Sequence, residues 1–162
     1  YPALDVDEDF LYAYGFASRP LWQLLHPKRR ERLTALQKRV LALVEPDPTV
    51  SPERRLRAAL RLIAAPEYLT TAYLSLRLQL WSLAAANPAY EQLNAEAQRR
   101  YRQGLAALIR AARPELGAAE SRRRAADIDV LQNGLWLTTL LGLDRASIKR
   151  CVRRCEEIAL AD

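Results

Sequence analysis

Twice in this chain a capping residue stands directly before a proline, at Ser51-Pro52 and at Asn87-Pro88, and each time a long stretch of helical apolar period begins there. Proline suits the first helical position, where its missing N–H would have had no partner. Ser or Asn one place earlier accepts a hydrogen bond from the first free amides. The first mark predicts a helix with Leu56, Leu60 and Ile63 as its buried stripe, ending near Ala65. The second predicts a long amphipathic helix with Tyr90, Leu93, Ala97, Tyr101, Leu105 and Leu108 on one side, stopped by Pro114 to Gly117. Between them, Pro66 is expected to open a helix running to about residue 86. Its positions Leu69, Leu74, Leu76, Leu78, Leu80, Trp81 and Leu83 leave no polar face, so it is expected to be central.

The same punctuation divides the rest. A helix is expected over about 118–141, terminated by Gly142, and a last one capped by Asp144 through 160. Upstream, "VDEDFLYAYGFASRPLWQLL" suggests a short helix, a turn near Gly15 and a second helix from about Ser18, with His26-Pro27 as a break. Leu33, Leu36, Val40 and Leu43 make 28–44 amphipathic, and "EPDPTVSPE" is a loop. No stretch reads as a strand. The class is therefore all-α, with about six to eight helices.

A chain of 162 residues is the size of one domain and can bury a sizeable core. Arg77 interrupts the longest apolar stretch, 68–86, so a membrane span is not expected. The chain starts at Tyr1 and contains no Met, from which an incomplete N-terminus is expected; there is no signal-peptide pattern, and the cytoplasm is the default location. A net charge of +6 and a pI of 9.7 are compatible with a polyanionic partner. The basic runs "HPKRRER", "RRYRQ", "SRRR" and "KRCVRR" nevertheless fall on different helices among Glu residues, and make no single stripe. Cys151 and Cys155 share one helical face, an arrangement unsuited to a disulfide. With His26 the only histidine, no zinc site can be assembled with them, and they read as buried apolar thiols. One histidine, no hydrolase, metalloprotease, phosphate-loop or dinucleotide motif and no Glu-x-x-His pair argue against an enzyme, a cofactor or a metal.

Three stretches, "SPERRLRAALRLI", "LSLRLQLWSLAAANPAYEQLNAEAQRRYRQGLAALIRAA" and "LQNGLWLTTLL", together resemble the C-terminal domain of TetR-family transcriptional repressors, in the branch typified by the choline-responsive repressor BetI. Arg100, Tyr101 and Arg102 match that branch's Arg-Tyr-Arg helix. Gly134, Leu135, Trp136 and Leu137 match its Asp-Gly-Leu-Trp-Leu core, with Asn133 in the place of Asp. "LYAYGFASR" is similar to the signature that closes the family's DNA-binding region, so Tyr12, Tyr14, Ser18 and Arg19, beside Phe16, become the expected DNA-contacting segment. The match departs from the family by an extra residue at Gly15, by Arg19 for Lys, and by the acidic Asp5, Asp7, Glu8 and Asp9 where phosphate would lie.

The resemblance implies residues 1–20 as the end of a helix-turn-helix region and 21–162 as a ligand-binding and dimerisation domain of TetR-like helical-bundle fold, homodimerising through the last two long helices. It assigns to that seam Ile148, Val152, Cys155 and Ile158 on one helix and Leu131, Leu135 and Thr138 or Thr139 on the other, with Gly134 admitting a close backbone.

The helix at 118–141 also carries Asp129, Gln132 and Asn133 in an apolar run, and each needs a hydrogen-bonding partner if buried. Asp129, Asn133 and Trp136 share a face, and so do Tyr73, Arg77 and Trp81 with Thr70 nearby; these seven are the candidate ligand-binding residues. A carboxylate among aromatics favours a cationic amine, Arg77 favours an acid, and the two charges could instead neutralise each other, so the effector's charge stays open. The expected function is a ligand-responsive repressor that binds operator DNA as a homodimer and is released by a small-molecule effector. The alternatives are a helical dimerisation or adaptor module without DNA binding, and an unrelated helical-bundle enzyme or carrier.

Overall fold

The computed structural model describes residues 49–162 apart from 87 and 143. Tyr12, Tyr14, Ser18, Arg19, the acidic segment at 5–9 and the expected helices before residue 49 lie outside the described residues. The described residues hold five helices and no strand: α1 (Pro52–Leu62), α2 (Thr71–Ala86), α3 (Pro88–Ala112), α4 (Ala118–Leu140) and α5 (Arg145–Leu160). The all-α class expected from periodicity is what forms.

Local chemistry sets most of the boundaries. The Ser51 side chain accepts from the Arg54 N–H at 3.3 Å with Pro52 at the first helical position. Asp144 accepts from the Ser147 N–H at 2.7 Å, satisfying a first-turn amide of α5. Gly142 follows α4 with φ +99°, a left-handed conformation that admits glycine without a Cβ penalty. The start of α2 is different from expectation. Residues 63–70 form successive turns, and the helix begins at Thr71, where the Thr70 hydroxyl accepts from the Tyr73 N–H at 3.3 Å. Pro66 offers the right φ, but Ala65 before it has no side-chain acceptor, so the first available cap lies four residues later.

Among the described helices α3 is the hub, packing against all four others, whereas the main partners of α2 are α3 and α4. The expectation that the helix without a polar face would be central is thus corrected: Leu78 of α2 is exposed, and α3 is central because its length lets both ends find partners. Two apolar clusters result. The larger joins Leu56 and Leu60 of α1, Leu105, Ala106, Leu108 and Ile109 of α3, Ala125 and Ile128 of α4, and Cys155 and Ala159 of α5. The smaller gathers Ile63, Tyr68, Tyr73, Leu74 and Trp136, and Tyr101 packs against both. The C-terminus is tied down by Arg113, which donates to the Leu160 carbonyl, and by Arg124, which donates to the Ala161 carbonyl at 2.7 Å.

Candidate functional site

Two of the three polar residues inside α4, Asp129 and Gln132, find partners on α3. Asp129 is buried and accepts from the Arg102 Nε at 2.6 Å, and Asn133 Nδ2 donates to the other Asp129 carboxylate oxygen at 3.4 Å. Gln132 is buried as well, and its Oε1 accepts from the Tyr101 hydroxyl. Arg102 and Tyr101 reach α4 from one turn of α3 because adjacent residues there straddle the α3–α4 groove. A charge-assisted bond of this kind is worth about 1.5–3 kcal/mol, enough to hold a carboxylate in an apolar helix. Gln132 Nε2 is buried with no hydrogen-bond partner.

This arrangement replaces the expected facing of Asp129 and Arg77. Arg77 lies instead in an aromatic setting, its guanidinium carbon 3.9 Å from the Trp136 ring centroid, 5.5 Å from that of Trp81 and 5.9 Å from that of Tyr73. One of its terminal nitrogens donates to the Tyr73 hydroxyl at 3.2 Å. Such contacts are worth roughly 0.5–1 kcal/mol when exposed and about 2 when desolvated. Trp136 is fixed by its Nε1, which donates to the Ile63 carbonyl at 3.1 Å, and by edge-on packing of Tyr73 at 6.4 Å. Tyr68 closes the group, 5.2 Å from Tyr73 and 6.2 Å from Trp136.

Of the seven candidate ligand residues, then, Tyr73, Arg77, Trp81 and Trp136 come together, and Asn133 and Asp129 form a polar group on α4 in the two turns before Trp136. Thr70 is committed to capping α2. Arg102, Tyr101, Gln132 and Tyr68 were not among the candidates. The Arg-Tyr-Arg triplet was the available signal, since a carboxylate in an apolar helix calls for a cation on a neighbour. A separate cleft of about 390 Å3, lined by Arg57, Arg153, Glu156, Glu157, Leu160 and Ala161, holds none of the candidates. Glu156 there is already paired with Arg57 at 2.8 Å and Arg61 at 2.9 Å.

The expected dimer residues divide. Cys155 belongs to the protomer's own core, with Leu131 and Ile158 packed against it, and Leu135 is buried. These four face inward because α4 and α5 turn their apolar stripes toward α1 and α3. Ile148 and Val152 are half-buried, and Thr138 is exposed with its hydroxyl donating to the Gly134 carbonyl at 2.6 Å. A row in which sequence reasoning singled out only Gly134 stands outward on α4: Val130 at 64% exposure, Gly134, Leu137 at 41% and, just past the helix end, Leu141 at 78%. A Cβ built on Gly134 would meet nothing within 4 Å. No helix of the described residues is long and apolar enough to cross a membrane, and no cluster of three or more metal-ligating side chains occurs among them.

Residues 52–160, about two thirds of the chain, match the family described as BetI-type transcriptional repressor, C-terminal. No curated protein and no solved structure gave a match.

Proposed function

We propose, from the premise that this chain belongs to the TetR family of transcriptional regulators through its BetI-type repressor C-terminal domain, that it is the effector-sensing and dimer-forming part of a repressor that leaves its operator when a small molecule binds. The match over residues 52–160 carries this reading. The family is one of regulators and not of enzymes, in keeping with the paucity of catalytic motifs in the sequence.

The effector site is the junction of α2 and α4, with Tyr73, Trp81 and Trp136 as walls and Arg77 as the charged group, bordered by Asp129 and Asn133. What supports this placement is the convergence of three aromatic rings and a cation on side chains from two helices. An effector entering there competes with Arg77 for the Trp136 face. It acts by binding one of two arrangements of α2 against α4 more tightly than the other, since a ligand with equal affinity for both shifts nothing.

The homodimer seam is formed by the outward row Val130, Gly134, Leu137 and Leu141, with Thr138, Ile148 and Val152 at its margins. Support comes from the exposure of large apolar side chains along one face of α4, which a stable interface would remove from water. DNA contact is assigned to the N-terminal segment that includes Tyr12, Tyr14, Ser18 and Arg19.

The test uses the complete protein and the promoter DNA of its own operon. A dimer that shifts that DNA at physiological salt, and is released by one member of a panel of amines and carboxylic acids, is the expected result. A monomeric protein that ignores the promoter rejects the repressor reading. Release that survives Arg77→Ala together with Trp136→Phe unchanged rejects the site while leaving the repressor intact.

A further inference from the structure

The cleft between α1 and the C-terminal half of α5 is used neither by the proposed effector site nor by the proposed seam. Arg57 of α1 forms one wall, and Arg153, Glu156, Glu157 and Leu160 of α5, with Ala161 just past the helix end, form the rest. On α5 these side chains fall at i, i+3, i+4 and i+7, the spacing that lines them up on one face. At about 390 Å3 the cleft has the size of pockets that hold small molecules, roughly 300–1,000 Å3.

Its charges are unevenly matched. Both oxygens of the Glu156 carboxylate are met by cations, one by Arg57 at 2.8 Å and the other by Arg61 at 2.9 Å. Arg57 also meets Glu53 at 2.8 Å, and Glu157 is held by Arg154 at 3.0 Å. Arg153 lines the same cleft, is exposed, and meets no carboxylate among the described residues. The helix end below it, whose carbonyls would repel an anion, is covered by cations. Arg113 donates to the Leu160 carbonyl and Arg124 to the Ala161 carbonyl. Leu160 is half-buried against the main core cluster, so the apolar end of the cleft is a fixed wall.

We propose that this cleft is a binding site for medium-chain aliphatic carboxylates, with the head group on Arg153 and the alkyl chain along Leu160 and Ala161. A guanidinium presents parallel N–H groups that match the two oxygens of a carboxylate. Arg153 and Leu160 stand two turns apart on α5, roughly 10 Å along the axis, which is the reach of a chain of about eight carbons. An amine of the same length meets Arg153 as a like charge and finds Glu156 and Glu157 already engaged. Inorganic phosphate has the charge but leaves Leu160 and Ala161 uncovered. The proposal stands apart from the effector reading, because none of Tyr73, Arg77, Trp81 and Trp136 lines the cleft.

Sodium octanoate is the probe, titrated into the full-length chain by calorimetry at low ionic strength, with butanoate, octylamine and inorganic phosphate alongside. Saturable octanoate binding is expected. It should weaken about tenfold in Arg153→Gln, which removes the charge-assisted contact, and persist in Arg77→Ala. Butanoate, too short to cover Leu160 and Ala161, should bind about tenfold more weakly or less well still, and octylamine and phosphate should also fall below octanoate. Ala161→Glu, a change outside the helix, sets a like charge against the ligand and should weaken it too. Circular dichroism confirms that the variants are folded. Octanoate affinity that is equal in wild type and Arg153→Gln, equal affinity for octylamine, or no saturable binding overturns the proposal. Binding lost in Arg77→Ala but kept in Arg153→Gln places the carboxylate at the α2–α4 junction, which overturns this site and leaves the effector reading standing.

Discussion

At the scale of single residues, Asp129 and Gln132 inside α4 are held by α3. Arg102 is the partner of the buried Asp129, and its removal leaves a carboxylate in an apolar helix with only Asn133 for company. Arg102→Ala should lower the unfolding free energy by about 2 kcal/mol, less than the full cost of breaking a buried pair because the Arg102 side chain is partly exposed. The urea midpoint measures it. Trp136→Phe keeps an aromatic face for Arg77 but removes the indole N–H that donates to Ile63. A loss of about 1 kcal/mol is expected, since the Ile63 carbonyl then lacks this donor. Both residues stood in motifs visible in the sequence. Their pairing was not visible, because which side of the α3–α4 groove each side chain enters depends on the rotation of two helices about their axes.

At the scale of elements, helix ends were mostly legible. Ser51, Asp144 and Gly142 do what their types predict, since a cap is a contact between residues within about four positions. Gly142→Ala places a Cβ at φ +99° and should cost about 1–2 kcal/mol, read as a lowered thermal midpoint. Capping of α5 also has a pH signature. The amide of Ser147, donating to Asp144, holds that carboxyl below the usual Asp range. A depressed folded value means the stabilisation is present above the ordinary Asp range and disappears as the pH falls through the lowered one. Asp144→Asn, which can still accept from Ser147, should therefore flatten the acid limb of a stability–pH profile. An unchanged slope in that variant removes the cap from the acid response. Where the element reading missed, at α2, it followed Pro66 and passed over Thr70, the residue with an acceptor.

At the scale of the whole molecule, the homodimer proposed above places the exposed row on α4 at its seam. Leu137→Lys with Leu141→Lys should leave the protomer folded and shift sedimentation from dimer to monomer, because both side chains are outside the core. Gly134→Ala separates two roles. Within the protomer nothing lies within 4 Å of the added methyl, so the helix should gain up to about 1 kcal/mol. If a twin backbone approaches there, the dimer weakens while the protomer gains; equal gain in both states would exclude Gly134 from close contact.

The sequence by itself determined the all-α class, the marks where most helices begin and end, and the family, because helical period, caps and motif order are properties of neighbouring residues. It named Tyr73, Arg77 and Trp81 as companions for the same reason, and Trp136 as a companion of Asp129 and Asn133, each triplet lying at helical spacing. Only the tertiary structure decided that α3 rather than the more apolar α2 occupies the centre, that Asp129 belongs to Arg102 and Arg77 to Trp136, and that Cys155 faces inward while Val130, Leu137 and Leu141 face out. Those outcomes depend on how far each helix is rotated and along which groove it lies. Such rotations are set by the packing of all the helices at once, and an apolar residue carries no mark of which neighbour will cover it.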